Sequence, residues 1–296
     1  MTARPATRGT SRPARGRKRL SIRSVIYLVL GMLVLLTPVV LTQIKNVEQN
    51  RIAQNYSRDV ATLDTAERDE ILRRAREYNA TLPEFGAPDP WVHGADTQSP
   101  GYRDYASQLD VNGVMARLRV PSVGMDLPVY HGTSQQTLAH GVGHLYGTAL
   151  PVGGEGTHAV LTGHTGLATL SMFDNLTHME DDDIFTVEVA GETLAYQVFS
   201  IETVLPSEIE NIRPEAGRDL VTLVTCTPYG INTHRLLVHA ERTELPDGEI
   251  DREYRSPWQP WMIAAVIISL LVFLYLLWFL LRRRRDDNER TDQATS

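Results

Sequence analysis

The only cysteine of this 296-residue chain is Cys226, and its chemistry is the first thing the sequence must account for. A lone thiol cannot close an internal disulfide, so it is buried and inert, paired with another chain, or used as a nucleophile. Cys226 ends a β-type run at 220–226, and Arg235 lies at the start of the next run, 234–240, after the turn-rich segment PYGIN. Two such runs joined by a short turn predict an antiparallel pair with positions 226 and 235 near the same end. A guanidinium placed there stays charged and offers several fixed donors to a carbonyl oxygen that is gaining negative charge.

Acyl transfer through a thiol needs a further group to accompany the thiolate and to protonate a leaving amine. Of the nine histidines, His164 fits best: it stands in LTGHTG directly after the run 157–162, between glycines that permit a tight backbone path. His131, His140 and His144 also sit among glycines and stay open as candidates. His234 adjoins Arg235, and strand alternation turns it to the opposite face. No HExxH spacing and no second cysteine are present, so neither a metal nor a cofactor is expected. The thiol, the imidazole and the guanidinium are expected to meet at the open end of a small barrel.

The elements that must position them are mainly β. Runs at 114–120, 125–130, 157–162, 183–189, 193–201, 220–226 and 234–240 predict a closed or nearly closed barrel of seven to eight strands. Short peripheral helices are expected at 135–139, 168–173 and 206–209. The intervals are too short for the helical crossovers of a parallel α/β sheet. Upstream, Asp64 and Glu67 have capping-box spacing, and Ile71, Leu72, Ala75 and Tyr78 mark one face of a helix. Residues 81–102 then read as a long Pro/Gly-rich loop, and loops of that length usually serve a function.

Two apolar runs flank this region. Residues 25–41 are uncharged behind a basic start, and 261–281 are uncharged and followed by Arg282 to Arg285. Both lengths suit a bilayer span, with Trp258, Trp261 and Trp278 near the ends of the second. No cleavage site follows the first run, which favours an uncleaved signal anchor. The basic clusters lie away from the middle of the chain, so both termini are expected in the cytoplasm. Residues 47–260 carry 32 acidic and 15 basic side chains, a formal charge of −17 that would repel nucleic acid. The expected division is a basic tail at 1–23, a span at 24–44, a helical and lid region at 45–109, the barrel at 110–245, a linker at 246–260, a span at 261–281 and a polar tail at 282–296.

The chain resembles a class C sortase, the pilin-polymerising cell-wall transpeptidase of Gram-positive bacteria. The resemblance rests on Thr222-Leu223-Val224-Thr225-Cys226 with Arg235, on His164 in LTGH, on TCTPYGINTHRLLV, on DLPVYHG at 126–132 and on HLYGTALPVGGEGTHAVLTGHTGL at 144–167. It extends over about residues 45–245 and includes the second span. It implies a sortase-like barrel, catalytic roles for His164, Cys226 and Arg235, and no cofactor. It also implies that Asp89-Pro90-Trp91 is the Asp-Pro-aromatic motif of a lid over the active-site groove. The implied partners are pilins bearing an LPxTG-type sorting signal and an acceptor lysine. A housekeeping reaction on a cell-wall precursor amine, a hydrolytic cysteine protease and a non-catalytic membrane scaffold remain the rival readings.

Overall fold

The computed structural model describes residues 22–82, 95–167, 170–245, 254 and 256–294. The lid motif Asp89-Pro90-Trp91 and the basic tail at 1–21 lie outside the described residues, as does most of the linker. Helix α1 (Ile22–Thr62) is followed by α2 (Thr65–Ala80) and α3 (Pro100–Ala106). The strands are β1 (Ala116–Val120), β2 (Met125–His131), β3 (Val142–His144), β4 (Thr157–Thr162), β5 (Ile184–Val189), β6 (Glu192–Val204), β7 (Asp219–Thr227) and β8 (His234–Thr243). Helix α4 (Gln135–Leu138) lies between β2 and β3, and α5 (Pro260–Ala294) ends the described chain.

The eight strands close into one barrel in the order β1-β2-β3-β4-β7-β8-β6-β5. The sheet is mixed, since β2 pairs with β3 and β4 pairs with β7 in parallel. Alternation fixes the two faces of each strand. Leu118, Val187, Tyr196, Leu223 and Val238 point inward and belong to one large buried cluster. On the outer face, Val160, Val224 and Leu237 join Leu145 and Ile212 in a separate small cluster. β7 is therefore covered on both sides, which explains why apolar residues stand on both of its faces.

Several local expectations differ from the structure. β3 was not legible as a strand: three residues around Gly143 are held only by their neighbours β2 and β4. The helix expected at 168–173 is displaced to a 3-10 turn at Asp174–His178, while 168 and 169 lie outside the described residues. The loop expected to run to 102 stops at α3, where the Ser99 side chain accepts from the Tyr102 amide and Pro100 takes a first-turn position. The capping box of α2 forms as the spacing indicates, with the Asp64 and Glu67 side chains each accepting from the other's amide.

Among the described residues, those from 38 to 263 form one compact unit, and those from 22 to 37 with 264 to 294 form another. Within the larger unit, α2 buries Leu72 and Ala75 against the barrel cluster. The end of α1 is bound to the barrel by polar contacts as well as apolar ones. The Tyr56 hydroxyl donates to the Met115 carbonyl at 3.0 Å and accepts from the Ala190 amide at 2.9 Å. Asn50 donates to Asp126 at 2.8 Å, and Arg117 grips the same carboxylate with two bonds of 2.7 Å. The Asp126 side chain is 5 % exposed, so removing it leaves a buried guanidinium without its main counter-charge. Asp126→Ala is expected to destabilise the outer domain by about 3–5 kcal/mol in urea unfolding, and a loss below about 1 kcal/mol would contradict that role.

Candidate active site

β7 is the strand on which the site is built. Its antiparallel register with β8 places Cys226 directly opposite Arg235. Its parallel register with β4 pairs Val224 with Thr162, and the Gly163 amide continues that ladder by donating to the Val224 carbonyl at 3.1 Å. Two residues further along from Thr162 and Val224 stand His164 and Cys226. The three groups expected from sequence are thus carried by adjacent strands, at one end of each.

They do not sit at the open mouth of the barrel. Strand alternation puts Cys226 on the same face as Val224 and Thr222, and Val224 belongs to the outer cluster. Arg235 shares its face with Leu237, which packs in that same cluster. The site therefore occupies the outer wall near one end, over an apolar floor of Val160, Val224 and Leu237. The reason is parity: an even step from Val224 reaches the sulfur, whereas the inward set is Val221 and Leu223.

The surroundings of the three groups are well closed. Cys226 is 7 % exposed and Arg235 6 %, while His164 is only part-buried. One Arg235 Nη donates to the neighbouring His234 carbonyl at 3.4 Å. Desolvation by burial lowers the His164 pKa below its ordinary 6.5, so the neutral imidazole dominates at neutral pH.

The loop leaving β4 is held by four contacts that sequence reasoning did not assign. Thr225, next to the thiol, donates to the Gly163 carbonyl at 2.7 Å and meets the Thr165 hydroxyl at 2.5 Å. The Phe173 amide returns to the His164 carbonyl at 3.1 Å. Asp174 accepts from the Gly166 amide at 2.8 Å, and desolvation raises its pKa to about 7. An aspartate inside the apolar stretch MFDNL is the sequence signal that could have drawn attention to it. Gly163 is required because a Cβ there would lie 2.7 Å from the Phe173 ring. Gly166 has φ +82° and packs 3.3 Å, measured to the same added atom, from the Gly230 amide of the β7–β8 turn.

The competing histidines are placed elsewhere. His144 is completely buried, bonds Tyr105 at 2.9 Å and the Ala149 carbonyl at 2.7 Å, and burial lowers its pKa to about 4. His131 bonds the Gln108 carbonyl at 2.6 Å, and His140 bonds the Gln136 carbonyl within its own helical turn. His158 and His239 flank the Thr222 hydroxyl at 2.7 and 2.8 Å, two positions along β7 from Val224. Among the described residues no group of three or more His, Cys, Asp or Glu side chains has the arrangement of a metal site.

Comparison with known proteins follows the same outline. A family model described as Sortase domain matches residues 118–243. Sortase C-1 from Actinomyces oris is 49% identical and superposes with a TM-score of 0.58, covering 60% of this chain and 99% of that one. Sortase C from Streptococcus pneumoniae, whose structure is described in terms of catalysis and pilin substrate specificity, is 39% identical with a TM-score of 0.60, covering 66% of this chain and 97% of its own. Sortase A of Streptococcus agalactiae serotype III is 29% identical over 131 residues, a match that spans about half of that relative, 52%, and 43% of this chain. With a closed eight-strand barrel and near-complete coverage of solved C-type relatives, this chain belongs to the sortase family and groups with its class C, pilin-type members.

Proposed function

We propose that the protein is a cysteine transpeptidase that cleaves an LPxTG-type sorting signal between Thr and Gly and joins the threonine carbonyl to a lysine amine of a second pilin. The observation that carries this reading is the pairing of Cys226 with Arg235 across β7 and β8, beside the strand that leads into His164. The sorting peptide lies over the outer face of β7, and the thiolate sulfur attacks the threonine carbonyl carbon. Negative charge moves onto the carbonyl oxygen, where the Arg235 guanidinium stabilises it. The tetrahedral intermediate collapses with cleavage of the C–N bond. His164 as imidazolium gives its proton to the departing glycine amine, leaving a thioester on Cys226. The neutral imidazole then takes a proton from the attacking lysine ε-amine, the C–S bond breaks, and an isopeptide forms.

Burial favours neutral His164, so the ion-paired thiolate and imidazolium are the minor protonation state at neutral pH. The coverage of Cys226 fits an enzyme that must open before substrate enters. The Asp89-Pro90-Trp91 segment, which lies outside the described residues, is the proposed lid. Two helices are long and apolar enough to cross a membrane, residues 22–62 and 260–282. The flanking basic clusters support a topology with the barrel outside and both termini in the cytoplasm of a Gram-positive cell. A second acceptor, a cell-wall precursor amine, would use the same thioester and differ only in the last step.

Three outcomes test the reading. Incubation of the enzyme with a labelled LPxTG-type peptide and pilin should give a thioester on residue 226 and a Thr–Lys isopeptide by mass spectrometry. Cys226→Ala should abolish both, and Arg235→Ala should lower kcat by about 10²–10³-fold; full turnover without a covalent intermediate would end the mechanism. Because burial lowers the His164 pKa, the acidic limb of kcat/KM should lie below pH 6.5, and a limb above that value would contradict the assignment. Replacing Asp89 and Trp91 with Ala should speed alkylation of Cys226 by a small thiol reagent, whereas an unchanged rate would remove the lid.

A further inference from the structure

The chain next to each apolar run is bonded directly to the loop that begins at His164. Asn46, five residues beyond the run 25–41, donates to Ser171 and Ser256 at 3.1 and 3.2 Å, and its side-chain oxygen accepts from the Ser171 amide at 3.0 Å. Gln43 donates to the Pro257 carbonyl at 3.2 Å. Gln259, two residues before the run 261–281, donates to Asn175 at 2.6 Å. Trp261, the first residue of that run, lies beside Tyr229. Ser171 and Asn175 belong to the loop that begins at His164, and Tyr229 belongs to the turn that follows Cys226. All of these residues lie in the compact unit 38–263. At a rise of about 1.5 Å per helical residue, Asn46 is only about 8 Å along α1 from the end of the apolar run.

The β7–β8 turn itself has the composition of an interfacial surface. Ile231 is 67 % exposed and Tyr229 49 %, and Trp258 beside the second run is 53 % exposed. Residues 227–233 and 256–264 contain no charged side chain, in a region 47–260 whose formal charge is −17. An acidic domain is repelled by an anionic leaflet, so its uncharged, aromatic edge is the one that can approach closely. Tyrosine and tryptophan favour the headgroup layer, and an exposed isoleucine adds buried apolar area there.

On the membrane reading given above, we propose that the turn at 228–232 docks into the headgroup layer of the bilayer that holds the two apolar helices, with Tyr229 and Ile231 as its lipid contacts. Cys226 then works at the lipid surface. A sorting signal still held in the membrane by its own apolar tail reaches the sulfur without being lifted into water. Trp261, an interfacial aromatic at the start of the second run, marks the same depth.

The test uses the full chain in nanodiscs of phosphatidylcholine and phosphatidylglycerol. In a Cys226→Ala background, single cysteines from Ile231→Cys, Glu155→Cys and Leu270→Cys carry an environment-sensitive fluorophore, and lipids carry a spin label on the headgroup or on the acyl chain. The label at 231 should be quenched by headgroup-labelled lipid, that at 270 by acyl-labelled lipid, and that at 155 by neither. If 231 behaves like 155 while 270 is quenched, the docking is overturned and the spans stand; if 270 is not quenched, the membrane reading fails and the docking with it. With Cys226 intact, Ile231→Asp should lower the ratio of turnover on a lipid-anchored sorting peptide to that on the free peptide by about tenfold, and an unchanged ratio would overturn the proposal.

Discussion

The site depends on the register of one strand. β7 is paired in parallel with β4 and antiparallel with β8, and it is covered by apolar side chains on both faces. A slip by one residue would turn Cys226 into the barrel core and Thr225 outward. Such a slip would also place Val221 and Leu223 outside and bring Thr222 into the core, so packing on two faces opposes it at once. The end of the strand is fixed in addition by Thr225, whose hydroxyl bonds the Gly163 carbonyl and the Thr165 hydroxyl. The backbone at His164 is thus tied to the end of β7 by backbone pairing and two threonines.

Much of this was legible in the sequence because it is local. The run 157–162 reproduces β4 to the residue, and the Asp64 and Glu67 spacing gives the observed cap. The cross-strand pairing of Cys226 and Arg235 follows from a short turn between two β runs. What could not be read depends on distant partners. β3 has no pattern of its own, since its three residues are defined by β2 on one side and β4 on the other. The outer placement of the site was equally hidden, because alternation gives the relative faces of residues but not which face meets the core when both are apolar. α3 was different in kind: Ser99-Pro100 is a recognisable helix start, obscured by the proline and glycine content before it.

The nine histidines show why residue type and glycine neighbours were too weak a criterion by themselves. His144 and His158 have lowered pKa values of about 4 because burial disfavours their charged forms, and both are tied to backbone carbonyls. They are neutral packing and hydrogen-bonding groups over the whole physiological range. His164 differs by its place just past the end of β4, the strand paired with β7, and by its partial exposure. Its loop returns through Phe173 and Asp174, so the backbone around the imidazole is constrained at both ends.

The same burial that limits access to Cys226 also governs the charge on the site. Moving an imidazolium and a thiolate out of water is unfavourable for each alone, and the lowered pKa of His164 is one expression of that cost. In the proposed mechanism a permanent guanidinium changes the balance, because Arg235 would favour negative charge on the sulfur and then on the carbonyl oxygen as attack proceeds. Lysine in its place would offer a compact charge and could lose its proton on burial, whereas arginine keeps both charge and donor geometry. The buried outer wall of β7 therefore suits a reaction whose charge-separated form is scarce at rest and is stabilised as substrate displaces the remaining water.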